Sequence, residues 1–175
     1  FHCMTQWWTR GSSLRCETHY GSIDTMLKHL RWDVHEDCQD IDIPWTDRAG
    51  ISILLYAVLL DNVTIVRETL KLYDDRRSNL LAWRFPKEGI VEIGATGHAT
   101  CLYCAMCFAS PEIVAAWLDA GANVETTDIM GNDSFMAACG VGRLDNVKNW
   151  LSQVEWNMNR RNAVFGSLSM NIAAY

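Results

Sequence analysis

The residues best placed to do chemistry are Cys101, Cys104 and Cys107, each separated by two residues, with His98 just before them. The spacing matches the first three positions of the iron–sulfur run C-x2-C-x2-C-x3-C-P, but Pro111 stands where the fourth cysteine belongs. If the run is helical, a rise of ~1.5 Å per residue puts Cys101 and Cys107 roughly 9 Å apart along the axis. Two sulfurs on one zinc, each bound at ~2.3 Å, lie within about 4.6 Å of each other. Two of these thiols can share an ion from one helix; three cannot unless the helix is distorted. The run therefore reads as small apolar filler near helix contacts, with a reactive or redox thiol, or a metal module, as the alternatives.

A second cluster, His29, His35 and Cys38 in "HLRWDVHEDC", fits no zinc spacing and sits among acidic residues, as a solvated loop would. There is no nucleophile elbow, no phosphate-cradling glycine loop and no H-E-x-x-H, and Gly94-Ala95-Thr96-Gly97 matches no phosphate motif. No catalytic, cofactor-binding or metal-ligating residue is assigned, and the chain is not expected to be an enzyme.

Composition points the same way. The chain has 175 residues, 49% hydrophobic and 21% charged, which suits one globular domain. A net charge of −6 argues against nucleic acid, which needs basic surface to displace counterions. The basic pairs Arg76-Arg77 and Arg160-Arg161 read as solvated surface. Seven cysteines, an odd number at uneven spacing, suggest reduced thiols in an intracellular, cytoplasmic setting rather than a disulfide framework. The longest apolar run, Ile51 to Leu60, is too short to cross a bilayer. The opening on Phe1 suggests a fragment of a longer chain.

The elements that would position these residues are short and sharply bounded. In "SPEIVAAWLDAGANVETTD", residues 110–128, Ser110 can cap a helix, Pro111 suits its first position and Glu112 its positive end. Ile113, Val114, Trp117 and Leu118 make one apolar face, and Gly121 supplies the left-handed residue that closes the helix. Such a helix is too short to stand alone. The preceding "HATCLYCAMCFA" places Leu102, Ala105 and Met106 on one helical face, so the unit is a helical hairpin with a polar connection through 122–131.

The unit recurs. Ala105, Val114 and Trp117 reappear as Ala138, Val147 and Trp150, each 33 residues on. Upstream, "DRAGISILLYAVLLDNVTIVRETL" repeats the order, as do "SSLRCETHYGSIDTMLKHL" and, downstream, "GSLSMNIAAY". Self-similarity at such a period means stacked units rather than one closed core.

The period and the segment "EIVAAWLDAGANVETTD" resemble the ankyrin repeat. The family's Thr-Pro-Leu-His is replaced by "SILL" (52–55), "TCLY" (100–103), "DSFM" (133–136) and "LSMN" (168–171). The resemblance implies an all-α, ankyrin-like solenoid of helix-turn-helix repeats at 11–46, 47–94, 95–127 and 128–162, with a partial unit at 163–175. Inner helices are expected near 52–60, 100–108, 133–141 and 168–174, and outer helices near 22–31, 63–72, 111–120 and 144–153. Two stretches, 31–46 and 73–97, break the period as insertions, and "EGIVEIG" in the second alternates like a short strand. Trp117 and Trp150 are expected in the core; Trp7, Trp8, Trp32, Trp45 and Trp83 fall in linkers or insertions, where burial under the loops is the favoured reading.

The resemblance also implies a function: a scaffold that binds a protein partner through its turn tips and the concave surface of its inner helices. On this chain the tips are Arg48-Ala49, Ile129-Met130 and Val164-Phe165, and the inner-helix ends are Leu59-Leu60, Cys107-Phe108 and Gly140-Val141. The apolar tips are equally well read as packing on one another. A regulatory array attached to a catalytic domain elsewhere in a longer protein is the alternative. In the last unit Met170, Ala173 and Ala174 are expected to face the preceding unit, with Ile172 and Tyr175 uncovered and further repeats following Tyr175.

Overall fold

The computed structural model describes residues 53–72, 81–85, 87 and 96–173. They form α1 (Ile53–Leu59), α2 (Val63–Leu72), α3 (Cys101–Phe108), α4 (Pro111–Asp119), α5 (Ser134–Val141), α6 (Leu144–Gln153) and α7 (Ser169–Ala173). The described chain is mainly helical. Its β pairing is limited to isolated bridges, Thr127 with Asp133 and Arg161 with Leu168. The expected helix at 22–31, the "EGIVEIG" segment, the 31–46 insertion and Trp7, Trp8, Trp32 and Trp45 lie outside the described residues. No described helix is long and apolar enough to cross a membrane.

The helices pair as α1/α2, α3/α4 and α5/α6 and pack in two rows. One row runs α1, α3, α5, α7; the other runs α2, α4, α6. Each helix is a few turns long, so its stability must come from this packing rather than from propensity. The α2 pattern shows how. Ile65, Val66, Thr69 and Leu70 turn inward while Arg67 and Lys71 stay in water. The one polar member of that face, Thr69, is satisfied by donating its hydroxyl to the Ile65 carbonyl at 2.7 Å.

The helix ends follow from local chemistry. Thr100 and Asp133, at equivalent positions, cap α3 and α5 by accepting the Tyr103 amide at 3.2 Å and the Met136 amide at 2.8 Å. Gly121 closes α4 at φ 86° and Gly142 closes α5 at φ 75°, conformations that cost an ordinary side chain energy. Ser110 departs from expectation: it stands at the α4 N-cap but its side chain makes no capping bond. Its amide donates instead to Asp61 Oδ1 at 2.6 Å, which ties the α1/α2 bend to the α3/α4 bend.

The core runs continuously through the rows. Leu55, Ile65, Phe85, Phe135, Trp117 and Trp150 are all essentially sealed from solvent. Phe135, Trp150 and Trp156 form an aromatic cluster, with Trp150 and Trp156 edge to face at 5.3 Å. Trp83, in the second insertion, is half-buried with its ring edge-on to Phe85 at 5.1 Å. α7 corrects one expectation. Met170 is 71% exposed and Ala173 is also exposed, while Ser169 is buried and Ile172 reaches close to Gly140 of α5. The reason is positional. Met170 is the second residue of α7 as Phe135 is of α5, and Phe135 is covered by Trp150 of α6 and by Trp156. Among the described residues no helix follows α7 to cover the same face.

Candidate functional site

The turn tips are built by two Asx residues. Asp128 accepts the Met130 and Asn132 amides on Oδ1, at 2.9 and 2.8 Å. Its other oxygen accepts the Thr96 hydroxyl at 2.8 Å and the Tyr103 hydroxyl at 3.0 Å. Asn162 does the same work in the next tip, accepting the Val164 and Phe165 amides at 2.8 and 2.6 Å. Its amide group donates back to the Met130 carbonyl at 2.9 Å and to Asn132 Oδ1 at 2.6 Å. Both residues are nearly buried, so each tip is fixed from inside by a side chain that water does not compete for.

The tips also bond to one another. The Ile129 amide donates to the Gly97 carbonyl at 2.8 Å, and the Ala163 amide to the Gly131 carbonyl at 3.4 Å. A Cβ on Gly131, at φ 78°, would stand 2.9 Å from Val164 Cγ2, so the glycine is what lets the second tip close on the first. Even so, the tip side chains stay open to water: Ile129 is 37% exposed, Met130 41%, Val164 56% and Phe165 65%. Four large apolar residues thus lie side by side on two rigid turns.

The other expected contact residues divide. Leu60, Phe108 and Val141 are half-buried at the inner-helix ends. Leu59 is only 5% exposed, because the end of α1 is packed into the core, and it offers no open surface. Arg48 and Ala49 lie outside the described residues.

The cysteine run sits on α3, in the packed row. Cys101, Cys104 and Cys107 are buried free thiols. Burial pushes Cys101 and Cys107 up from 9.0 to about 12 and raises Cys104 well above its ordinary value. A thiol so placed stays protonated near neutrality, which disfavours the nucleophilic and ligating forms alike. The described residues hold no group of three or more His, Cys, Asp or Glu arranged to take a metal. His29, His35 and Cys38 lie outside them.

Several polar residues that spacing did not single out matter most. Arg160, expected as solvated surface, is a clamp. It pairs with Glu125, sits 3.3 Å from Asp133 Oδ2 and stacks 5.1 Å from the Trp156 ring. Burial raises the Asp133 carboxyl, against the lowering pull of the Met136 amide and Arg160. Asn146, fully buried in α6, donates to the Met106 and Ala109 carbonyls at 3.0 and 2.9 Å, and so caps α3 from the next hairpin. Arg84, in the second insertion, donates to the Thr127 carbonyl at 2.8 Å and to the His98 carbonyl at 3.2 Å. Arg161 donates to the Gly166 carbonyl at 2.8 Å. Apart from the local Arg161–Gly166 bond, these contacts join residues far apart in the chain, so no local signal marks them; only Asn146, standing where the earlier unit has Ile113, is visible as a break in an apolar pattern.

No family model matches the chain, and no curated protein matches it.

Proposed function

We propose that the chain is a divergent ankyrin-like array that works as an intracellular scaffold, binding a protein partner through its turn tips and the adjoining inner-helix surface. The observation that carries this reading is the ridge of Ile129, Met130, Val164 and Phe165. Large apolar side chains stay exposed there although the turns beneath them are rigidly bonded. A rigid support lowers the entropy cost of ordering an interface, and a group of large apolar side chains exposed together on such a support marks an interaction surface. The paired helices packed in two rows, and the step of 33 residues between equivalent positions, support the repeat reading.

A photo-crosslinking residue at position 165, compared with one at position 148 on the outer face of α6, tests the proposal. The expected result is one defined crosslinked partner through position 165, competed by the unmodified chain but not by the Val164→Ser/Phe165→Ser variant. Equal crosslinking at both positions would overturn it.

A further inference from the structure

Two arginines stand beside the tip ridge. Arg84 reaches the Thr127 carbonyl, two residues before Ile129, and Arg161 reaches the Gly166 carbonyl, next to Phe165. Both arginines are exposed, and their recorded partners among the described residues are neutral carbonyls. A carbonyl orients a guanidinium without cancelling its charge. The contrast lies within the same molecule: Arg143 is paired with Asp145, and Arg160 with Glu125 and Asp133.

The acidic residues near the ridge are already committed. Asp128 is buried with both oxygens accepting hydrogen bonds. Asp133 is buried against Arg160, and Glu125 is turned to the same guanidinium. His98, also exposed, stands beside Gly97, whose carbonyl receives the Ile129 amide. The chain carries a net charge of −6, yet Arg84 and Arg161, bonded near the two ends of the ridge, make no ion pair among the described residues. An arginine held by neutral groups at the rim of an apolar surface is preorganised for a carboxylate.

We propose that the ridge receives a short partner segment in which apolar side chains alternate with Asp or Glu. The apolar groups would lie on Ile129, Met130, Val164 and Phe165, and the carboxylates would meet Arg84 and Arg161. The inference rests on the scaffold reading above and adds the chemistry of the partner.

The test uses the whole chain and two synthetic peptide libraries of equal apolar content, one bearing Asp and Glu at its variable charged positions, the other Lys and Arg. Binders are selected on the immobilised protein and their affinities measured by fluorescence anisotropy. Acidic binders should predominate, and their affinity should fall about tenfold or more from low to high salt, as expected where exposed charges attract. Val164→Ser/Phe165→Ser and Arg84→Gln/Arg161→Gln should each weaken them about tenfold, the range for an interface anchor. The salt series needs only the native protein, so it stands even if a variant folds poorly. Basic or uncharged binders that are lost in the Val164→Ser/Phe165→Ser variant would overturn the acidic partner and leave the scaffold reading in place. Acidic binders indifferent to that variant would overturn the ridge as the site, and the scaffold reading with it.

Discussion

Replacing Asn146 tests whether the hairpins are locked together by polar as well as apolar contacts. The residue is fully buried at the start of α6, and its Nδ2 lies 3.0 Å from the Met106 carbonyl, 2.9 Å from that of Ala109 and 3.3 Å from that of Ala105. Two N–H bonds serve three carbonyls, so their needs must be weighed. Ala105 already receives the Ala109 amide at 3.0 Å, and Ala109 receives Arg143. Met106 depends most on Asn146. The amide that would continue the helix onto it, Ser110 N–H, is turned to Asp61.

Asn146→Leu keeps the branched outline, with methyl groups somewhat larger than the amide's atoms, and removes the donor. One net hydrogen bond is worth about 0.5–1.5 kcal/mol, and a carbonyl left buried without a donor costs about 1–3 kcal/mol. Asn146 Oδ1 is itself buried without a hydrogen-bond partner, and its removal offsets part of that loss. The expected destabilisation is about 1–3 kcal/mol, read by urea unfolding with an unchanged slope. Asn146→Asp should be worse at neutral pH, because a carboxylate would face carbonyl oxygens. It should recover toward acid, where a protonated carboxyl can donate. A Leu variant within about 0.5 kcal/mol of wild type, together with an Asp variant showing no acid recovery, would refute the reasoning.

Three further outcomes follow. Trp117→Ala and Trp150→Ala should each cost roughly 3–5 kcal/mol in the same unfolding assay, since both rings are sealed in the core; a change within about 0.5 kcal/mol would contradict the packing. Cys101 and Cys107 titrate from 9.0 when unfolded to about 12 when folded, so the unfolded chain loses protons first and stability falls as pH rises through that window. The slope should be on the order of 1 kcal/mol per thiol per pH unit, shallower in Cys101→Ala/Cys107→Ala whatever the offset from the cavities. The amides of α7 should exchange fastest among the described helices. Leu168 stands just before Ser169, where α3 and α5 have the capping side chains of Thr100 and Asp133, and it offers no acceptor. Leu168→Thr should slow exchange relative to Leu168→Val, which has the shape of Thr, by about 1 kcal/mol, the worth of an N-cap; equal exchange in the two variants would rule out a missing cap as the cause.

The hairpins were legible in the sequence because their ends are written locally. Pro111 opens α4 and Gly121 closes it, and the expected outer helix at 144–153 is the observed Leu144–Gln153. The apolar tips were legible for the same reason: Ile129-Met130 and Val164-Phe165 interrupt polar stretches where a turn would ordinarily be wet. What was not legible depends on distance through space. Arg160 looks like half of a basic pair until Glu125, Asp133 and Trp156 are brought around it. Leu59 and Leu60 look alike in sequence, and only the packing of α1 decides that the first is core. Met170 was misplaced because a periodic pattern shows which residues share a helical face, but not which neighbour, if any, covers it.

The starts of α3 and α5 show what these helices need at the position just before their first turn. What an inner helix needs there is an acceptor for the amide three residues on, and a hydroxyl or a carboxylate serves. Thr100 supplies it for α3 and Asp133 for α5, with the same bond to Tyr103 and Met136. The same tolerance holds at the tips, where Asp128 and Asn162 fold their turns with one side-chain oxygen each, so that charge is optional and geometry is not. Asp133 also shows the limit of such exchange. As a buried carboxylate it needs more than the Met136 amide, and Arg160 arrives from the following connection to meet it. A carboxylate at this cap, unlike a hydroxyl, is thereby tied to a residue outside the hairpin. The start of α5 is thus set as much by a contact from beyond its hairpin as by the helix it opens.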